Sequence, residues 1–419
     1  MVLGHTVQAG TLVLAGANTT SGNTLVSGGT LQVANNLALQ NSTFDTAGTG
    51  TLVFATGINT PTIGGLTGSG NLTLPSNITN LTLNPQATKT YSGVLGNTTP
   101  GMSVTKSGTY TQVLAGANTY SRNTILSAGT LQIGANSTGS VGAITSSPLG
   151  IGGLIFNGGS LSSDGTTPRT ILNPVTFNNF ASLGNATNTG KLTFSANSDL
   201  GISARTLTLN SDAQFDGMLT GSGGGITKSG TGILALSGNN TYTGGTSMVG
   251  PGTVILNAST AGWTTIPAAN DSSQGLVVND GTITMVGNPG QIAPTNMVTL
   301  NGGATLNLCG SNTLAGLVFN SNGDATTPTV TSYDTITAGS GFSGATFGNK
   351  TGTLTLTGDI VVSPTNVAVT PLLDITVDAT GAQEQVVLVH LRTTFFAFQG
   401  LKIEYSLGSV LEFCPRRCV

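Results

Sequence analysis

The amino-acid sequence predicts an all-β protein in which short strands repeat along an elongated array. One unit recurs three times, strand-like runs opened by glycine recur between these copies, and charged residues make up only 6% of the chain. An average soluble protein has about 25% charged residues. Strands of about five residues separated by Gly, Asn, Ser and Thr corners, without a helical period, are typical of all-β folds.

The repeated unit consists of a strand, a Gly-x-Asn-Thr corner, a short Thr-led strand, and a last strand that opens with Gly-Thr. The three copies run from Gly10 to Val33, from Val104 to Ile133 and from Ile226 to Leu256. Segments 13–33 and 113–133 are identical at all but six positions. Agreement of this kind identifies an internal repeat, the signature of array and solenoid architectures.

The copies differ in length at a corner. The interval from the corner Asn to the glycine of Gly-Thr is the same in the first two copies, Asn18 to Gly29 and Asn118 to Gly129. In the third copy Pro251 is inserted, which lengthens the interval by a single residue. An extra residue within a strand turns its apolar face outward, whereas a corner absorbs it as a bulge. We therefore expect Pro251 to lie between strands.

Degenerate copies of the strand-opening signal continue the pattern between and after the full copies. They share a glycine followed by alternating apolar residues, and they are residues 50–54, 70–74, 153–156, 190–194, 281–285, 303–308 and 352–356. The pattern predicts a strand at each of these places.

Two all-β architectures fit such an array, a coiled parallel solenoid and an antiparallel sandwich or propeller. The corners are irregular in length and lack the regular two-residue Asn-Gly turns of hairpins, which favours the solenoid. In a parallel coil, a corner Asn can also hydrogen-bond its counterpart in the next coil as a ladder. Coils of about 20 to 25 residues, rising roughly 4.8 Å each, predict a body on the order of 70 to 90 Å long.

The third copy resembles a known family. Residues Thr227 to Thr246 read Thr-Lys-Ser-Gly-Thr-Gly-Ile-Leu-Ala-Leu-Ser-Gly-Asn-Asn-Thr-Tyr-Thr-Gly-Gly-Thr. This run closely resembles the autotransporter-associated β-strand repeat, also called the passenger-associated transport repeat. The resemblance implies an all-β, right-handed, single-stranded parallel β-helix that is the passenger region of a Gram-negative type V secreted protein.

The same resemblance implies a function. Members of the family are threaded unfolded through the outer membrane, fold outside the cell, and are surface or secreted proteins, often adhesins. We therefore expect a structural, non-catalytic scaffold at the cell surface or secreted, which supports secretion and adhesion. The expected partners are ligands on host or neighbouring cells, together with an outer-membrane translocator barrel and an export signal that we expect to lie outside this chain.

The first two copies depart from this pattern at a few positions. The second copy has Gln112 where the others have Leu, and Arg122-Asn123 in place of Gly-Gly. The first copy has Thr6 where Lys106 and Lys228 stand in the other two. We expect these departures to weaken individual coils.

The composition changes near residue 382, which predicts a β-helix over residues 1–382 and an atypical tail over residues 383–419. All three glutamates of the chain, Glu384, Glu404 and Glu412, lie in this tail. The tail is compatible with a cap that covers the open end of the solenoid and with a truncated or out-of-frame end. A single membrane strand is a third interpretation, although a barrel needs at least eight strands.

Residues of the kinds that carry chemistry are few and scattered. The two histidines, His5 and His390, lie near opposite ends of the chain, and neither falls in a nucleophile or metal motif. Three cysteines, Cys309, Cys414 and Cys418, are too few for a disulfide framework or a four-cysteine zinc site. We expect no catalytic, cofactor-binding or metal-binding residues.

Two local patterns resemble chemical motifs, and we expect neither to be functional. Asp212 and Asp216, four residues apart in a predicted strand, share one face and form the best acid pair, but Asp in such sequences usually caps a turn. Residues 221–229 superficially suggest a phosphate loop, but Thr227 stands where that motif requires glycine before its lysine.

Two alternative functions remain open at this point. A carbohydrate-active β-helix enzyme would bring Asp side chains of adjacent coils together with Lys or Arg in one groove. A phage or extracellular fibre would use the same solenoid physics. The net charge of -3 and the small number of charged residues predict no nucleic-acid partner.

Overall fold

The computed structural model describes residues 4–98, 101–320, 328–339, 345–362, 372–374, 391–392 and 402–403. Over these residues every regular element is a β-strand except one short 3₁₀ helix, Ser272–Gln274. The all-β prediction is confirmed. Within the same residues, no helix has the length and apolar character needed to span a membrane.

The chain divides into two compact units. Unit 1 comprises Met1–Asp199 and Asn210–Asp212, and unit 2 comprises Leu200–Leu209 and Ala213–Val419. The predicted boundary at residue 382 stays a prediction. Within the tail, the structure describes only residues 391–392 and 402–403.

Unit 1 contains short strands of two to four residues. They are β1 (His5–Val7), β2 (Thr11–Leu14), β3 (Asn23–Val26), β4 (Thr30–Val33), β5 (Thr43–Asp45), β6 (Thr51–Phe54), β7 (Thr62–Ile63), β8 (Leu66–Thr67), β9 (Leu72–Leu74), β10 (Asn80–Leu83), β11 (Lys89–Tyr91), β12 (Leu95–Asn97), β13 (Ser103–Lys106), β14 (Thr111–Leu114), β15 (Thr124–Leu126), β16 (Thr130–Ile133), β17 (Thr138–Ser140), β18 (Ala143–Ser146), β19 (Leu154–Phe156), β20 (Ser160–Ser163), β21 (Arg169–Ile171), β22 (Val175–Phe177), β23 (Ala181–Leu183), β24 (Leu192–Phe194) and β25 (Ser198–Asp199).

Unit 2 contains the remaining described strands, and the 3₁₀ helix lies between β32 and β33. They are β26 (Arg205–Leu209), β27 (Ala213–Phe215), β28 (Leu219–Thr220), β29 (Ile226–Ser229), β30 (Leu234–Leu236), β31 (Thr246–Val249), β32 (Thr253–Leu256), β33 (Leu276–Asn279), β34 (Thr282–Met285), β35 (Met297–Asn301), β36 (Thr305–Cys309), β37 (Asn312–Leu314), β38 (Gly316–Asn320), β39 (Thr329–Tyr333), β40 (Ile336–Thr337), β41 (Thr346–Phe347), β42 (Leu354–Leu356), β43 (Ile360–Val362), β44 (Leu372–Asp374), β45 (Leu391–Arg392) and β46 (Lys402–Ile403).

The strands of unit 1 stack in parallel, coil upon coil. One sheet follows the order β7, β10, β13, β15, β19, β22 and β25, and another follows β11, β14, β16, β20 and β23. Thr62 pairs with Thr82, an interval that agrees with the expected coil length. The antiparallel hairpin β17–β18 lengthens one coil, so that Thr130 pairs with the more distant Ser160. The parallel solenoid is confirmed, and its right-handedness stays a prediction.

Unit 2 repeats this architecture in two long ladders. One follows β26, β29, β31, β33, β35, β38, β43 and β45, and the other follows β27, β30, β32, β34, β36, β39, β44 and β46. The tail strands β45 and β46 pair in parallel with β43 and β44. The cap, the truncated or out-of-frame end and the single membrane strand stay predictions, because the other residues of the tail lie outside the described ones.

The core forms because alternate side chains of each strand point inward. In β10, Leu81 and Leu83 are buried while Asn80 and Thr82 are partly exposed. Parallel register places like residues above one another, because each rung repeats the pattern of the previous coil. The rings of Phe156 in β19 and Phe177 in β22 stack in this way, with centroids 5.1 Å apart. Each predicted degenerate copy overlaps one of these strands.

The inserted Pro251 lies where the sequence predicts. It falls in the corner between β31 and β32, and the strands on either side keep their register, with Leu234 opposite Val254. The corner absorbs the extra residue, so the apolar face of β32 stays inward.

Candidate functional site

The second and third repeats bury polar side chains at matching positions. Each has a lysine, an asparagine and a tyrosine that is at most 3% exposed: Lys106, Asn118 and Tyr120, and Lys228, Asn240 and Tyr242. Burying such groups costs free energy unless they are hydrogen-bonded. Their partners therefore show what the repeat motif does.

The Lys106 side chain points inward from β13 and returns to the backbone at the next corner. Its Nζ donates to the carbonyls of Ser107, Gly108 and Ala128 at 2.6, 2.9 and 3.0 Å. These three acceptors match the three hydrogens of an ammonium group. Among the described residues no carboxylate lies within 4.0 Å of this Nζ. Burial lowers the pKa of Lys106 to about 8, so the side chain is protonated at pH 7.

The glycine of Gly-Thr makes room for the lysine head. A Cβ at Gly129 would lie 2.8 Å from Nζ of Lys106, and one at Gly252 would lie 2.5 Å from Nζ of Lys228. Both glycines have positive φ, 65° and 138°. Lys228 Nζ donates to the carbonyl of Gly230 at 2.5 Å. The lysine and the glycine of the motif therefore act together in closing one corner.

The buried asparagine joins three successive coils. The Leu95 N–H of the preceding coil donates to Oδ1 of Asn118 at 2.8 Å. Nδ2 of Asn118 donates at 2.8 Å to the carbonyl of Pro148 in the following coil. Both polar ends of the amide are thus satisfied by backbone groups, and each coil is clamped to its two neighbours.

Asn240 makes the same clamp in unit 2. It accepts from the Leu219 N–H at 2.8 Å and donates to the Thr265 carbonyl at 2.7 Å. Sequence alone suggested that a corner Asn bonds its counterpart in the next coil, and for these two residues that interpretation is wrong. The next counterpart lies several coils away, so backbone groups of adjacent coils are the available partners.

Asparagine ladders do form at other corners. Nδ2 of Asn178 donates to Oδ1 of Asn157 at 2.9 Å, and Nδ2 of Asn301 donates to Oδ1 of Asn279 at 2.6 Å. Here the two asparagines of each pair lie on or just after strands that are direct neighbours, which brings their side chains together.

The buried tyrosine bonds the threonine four residues later. The hydroxyls of Tyr120 and Thr124 lie 2.6 Å apart, and Thr124 donates to the Leu149 carbonyl at 2.7 Å. Tyr242 and Thr246 form the equivalent 2.6 Å pair. Burial raises the pKa of both phenols above the ordinary range.

The first repeat lacks the lysine of the other two repeats. The residue that takes its position is Val7, and not Thr6 as an alignment of the sequences indicates. Val7 pairs with Val26 as Lys106 pairs with Leu126, so Val7 occupies the lysine position, and Thr6 is exposed. Placing Thr6 there is therefore wrong by one residue. The corner after β1 is one residue shorter than the corner after β13, and an alignment without gaps shifts the assignment.

Gln112 does not weaken its coil in the expected way. Its fully buried amide accepts from the Leu66 N–H at 3.0 Å and donates to the carbonyls of Leu66 at 3.0 Å and Lys89 at 3.2 Å. Leu66 lies in β8 and Lys89 in β11, so the side chain links strands of two preceding coils as a peptide group would. The departure from leucine therefore has a structural role.

Charged residues occur on successive coils of unit 1. Arg169 and Asp164 form a 2.6 Å ion pair, and the Arg169 N–H donates to the Lys191 carbonyl. The Leu192 N–H donates in turn to the Asp212 carbonyl, which places Asp212 on the coil beside Lys191. The enzyme alternative requires the side chains of such residues to converge in one groove, and of these four residues the Arg169 and Asp164 side chains are in contact.

The predicted acid pair is divided between the units. Asp212 belongs to unit 1, whereas Asp216 belongs to unit 2 and accepts from Nε2 of Gln214 at 2.5 Å. That the two carboxylates share one face stays a prediction.

The remaining sequence candidates occupy ordinary positions. Nδ1 of His5 lies 3.2 Å from Oγ1 of Thr24, and Cys309 is a buried free thiol. The segment that suggested a phosphate loop contains β29, and its lysine points into the core. His390, Cys414 and Cys418 lie outside the described residues. In the described part of the chain, no three His, Cys, Asp or Glu side chains form a group able to hold a metal ion.

Because Lys106 is buried, we expect the free energy of unfolding to increase at alkaline pH. Its native pKa of about 8 lies below the value of 10.5 for a free lysine. Between these values the native state has lost a proton that the unfolded chain keeps, so the free energy of unfolding rises with pH. We expect a rise of about 1–3 kcal/mol between pH 8 and 10, measured by urea unfolding.

The rise should be smaller in Lys106→Met than in the wild type and retained in full in Lys89→Met, which alters a partly exposed lysine of the same unit. Above pH 10 the trend should reverse, because burial raises the pKa of Tyr91 to about 12 and native phenols stay protonated. Identical pH profiles for wild type and Lys106→Met would contradict this assignment.

The repeats match a known family. Residues 8–33, 104–133 and 226–247 match the family model of the passenger-associated-transport-repeat. These are the three full copies described above, and the first match begins just after Val7, which takes the lysine position. No curated protein and no solved structure matches the chain. The resemblance of the repeats to autotransporter passenger repeats is confirmed.

Proposed function

We propose that this chain is the structural passenger scaffold of a type V secreted autotransporter, at the exterior of a Gram-negative outer membrane or released from it. Its role is to support secretion and adhesion without catalysis. The observation that carries the proposal is the placement of three passenger-associated transport repeats as coils of a parallel β-solenoid. A translocator barrel and surface ligands are the partners that this role requires.

The hydrogen bonds of the repeat suit folding during export. The Asn118 clamp reaches 23 residues back and 30 residues forward, so it connects only adjacent coils. In a solenoid each repeat contacts its neighbours, and structure can propagate from one coil to the next. A chain that emerges unfolded from a barrel can therefore fold coil by coil, and each completed clamp opposes backward movement.

Surface display tests the proposal. The full chain is placed between a cleavable export signal and an outer-membrane translocator barrel, and protease is added to intact cells. We expect the wild-type chain to be exposed and the double variant Asn118→Ala/Asn240→Ala to be displayed at least threefold less, because both clamps are lost. Asn18→Ala, at the partly exposed equivalent position, should match the wild type.

Two outcomes would count against the passenger function. One is retention of the wild-type chain inside the cell while a known passenger on the same barrel is displayed. The other is equal display of the wild type and the double variant.

The carbohydrate-active enzyme is the second candidate. The Arg169–Asp164 ion pair favours it, together with the placement of Lys191 and Asp212 on the coils that follow. It requires that the purified chain cleave an acidic polysaccharide such as polygalacturonate. The scaffold function requires that it does not.

A further inference from the structure

Unit 1 carries a straight line of outward-facing side chains across six parallel strands. We name it the Thr/Ile strip. It consists of Thr62, Thr82, Thr105, Ile125, Ile155 and Thr176, each the register partner of the next. All six are partly exposed, while the residues on either side of each along the chain point into the core. The strip is therefore a continuous row of methyl and hydroxyl groups at the spacing of neighbouring strands.

The strip is bordered by uncharged polar groups. Two residues after each of its last five members stands an amide or hydroxyl side chain: Asn84, Ser107, Ser127, Asn157 and Asn178. The last three are exposed. The first charge in the line is Asp199, the register partner of Thr176, which ends the strip. Neither the strip nor this border contains a charged side chain, and the exposed Arg122 lies outside both, in the corner before β15.

An exposed aromatic ring stands at the end of this border. Phe180 is 54% exposed and lies against the preceding coil, where a Cβ on Gly158 would be 3.9 Å from its Cζ. Beside it, Nδ2 of Asn178 donates to Oδ1 of Asn157 at 2.9 Å. This bond leaves the Nδ2 donors of Asn157 and the Oδ1 acceptor of Asn178 without a partner among the described residues. Ring, donor and acceptor are thus all available on one exposed corner.

We propose that the Thr/Ile strip and its Phe180 corner bind a linear, uncharged, β-linked polysaccharide. A pyranose ring offers an apolar C–H face that packs on an aromatic ring, and hydroxyl edges that bond amides. Strand spacing of about 4.8 Å is close to the length that one pyranose adds to an extended chain. The proposal rests on the proposed function, since it names the ligand class through which the scaffold adheres.

The size of the strip argues against a second copy of the chain as its occupant. Six strands about 4.8 Å apart and three residues wide offer on the order of 300 Å². A stable protein interface buries roughly 800 Å² on each partner. A single polysaccharide chain needs only a narrow surface of this length, so the area fits a glycan and is too small for a stable dimer.

Calorimetric titration of the full chain tests the proposal with three hexasaccharides, which are cellohexaose, chitohexaose and hexagalacturonate. We expect binding of a neutral hexasaccharide and none of hexagalacturonate. Phe180→Ala should weaken the neutral binding at least fivefold, and Asn157→Ala/Asn178→Ala at least threefold. Tyr110→Ala removes another exposed aromatic of unit 1, 52% exposed and outside the strip, and should leave the affinity unchanged.

The proposal is overturned if neither neutral hexasaccharide binds, if hexagalacturonate binds equally well, or if Phe180→Ala binds like the wild type. Circular dichroism and urea unfolding establish that each variant keeps the wild-type fold, as expected for exposed side chains. A chain that is displayed on cells but binds no neutral glycan overturns this inference alone. A chain that binds the glycan but is not displayed overturns the passenger function alone.

Discussion

Gln112→Leu is expected to lower the free energy of unfolding by about 2–5 kcal/mol, although it restores the residue that the other two repeats have. The buried amide of Gln112 satisfies both the N–H and the carbonyl of Leu66 and bonds the carbonyl of Lys89. Leucine supplies neither donor nor acceptor. Each buried backbone group left unpaired costs about 1–3 kcal/mol, which exceeds the gain from one more apolar side chain.

Urea unfolding of the full chain measures this loss, and hydrogen exchange at the Leu66 amide locates it. Gln132→Leu is the matched control, because Gln132 faces outward in the neighbouring strand and is partly exposed. It should change the stability by less than about 0.5 kcal/mol. If Gln112→Leu were as stable as the wild type, with unchanged protection of Leu66, the bridging role of Gln112 would be refuted.

Asn118→Ala should be about as damaging, with an expected loss of about 2–5 kcal/mol. Removing the amide leaves the Leu95 N–H and the Pro148 carbonyl unpaired in a buried environment. Domains of ordinary size are stable by only about 5–15 kcal/mol, so one clamp accounts for a large share of such a margin. The loss is measured by urea unfolding and by faster hydrogen exchange at Leu95.

The repeat itself provides the control for this change. Asn18 occupies the same motif position in the first copy, but it is partly exposed and makes one side-chain bond, from Nδ2 to the Ala38 carbonyl at 3.2 Å. Asn18→Ala should therefore cost less than about 1 kcal/mol. Equal losses at the two positions would show that the motif residue acts through its local corner and not through the clamp between coils.

Buried polar side chains hold the coils of this solenoid together. The side-chain polar groups of Lys106, Gln112 and Asn118 all bond backbone groups of their own coil or of coils one or two away. Such bonds hold the coils together without charge pairs, which is consistent with a chain that is only 6% charged. Because these bonds do not use the outward-facing residues, those residues can change without disrupting the core. The Thr/Ile strip is one such outward-facing surface.

Local signals were sufficient to predict where the strands lie. Glycine followed by alternating apolar residues marked β6, β24 and β34, because a strand with one buried face needs a period of two and a corner needs a residue that turns. The location of the Pro251 insertion was predictable for a related reason. A slip of one residue would expose the apolar face, so Pro251 had to lie in a corner.

The sequence by itself therefore determined the all-β class, the parallel coils and the repeat family, since these follow from local patterns and from their recurrence along the chain. Only the tertiary structure decided what the motif residues bond. The side chain of Gln112 bonds Leu66, which lies 46 residues earlier in the chain. Val7, and not Thr6, takes the position of the motif lysine in the first repeat. The physical reason is that a partner in a solenoid is set by the lengths of all intervening corners, and those lengths vary by single residues.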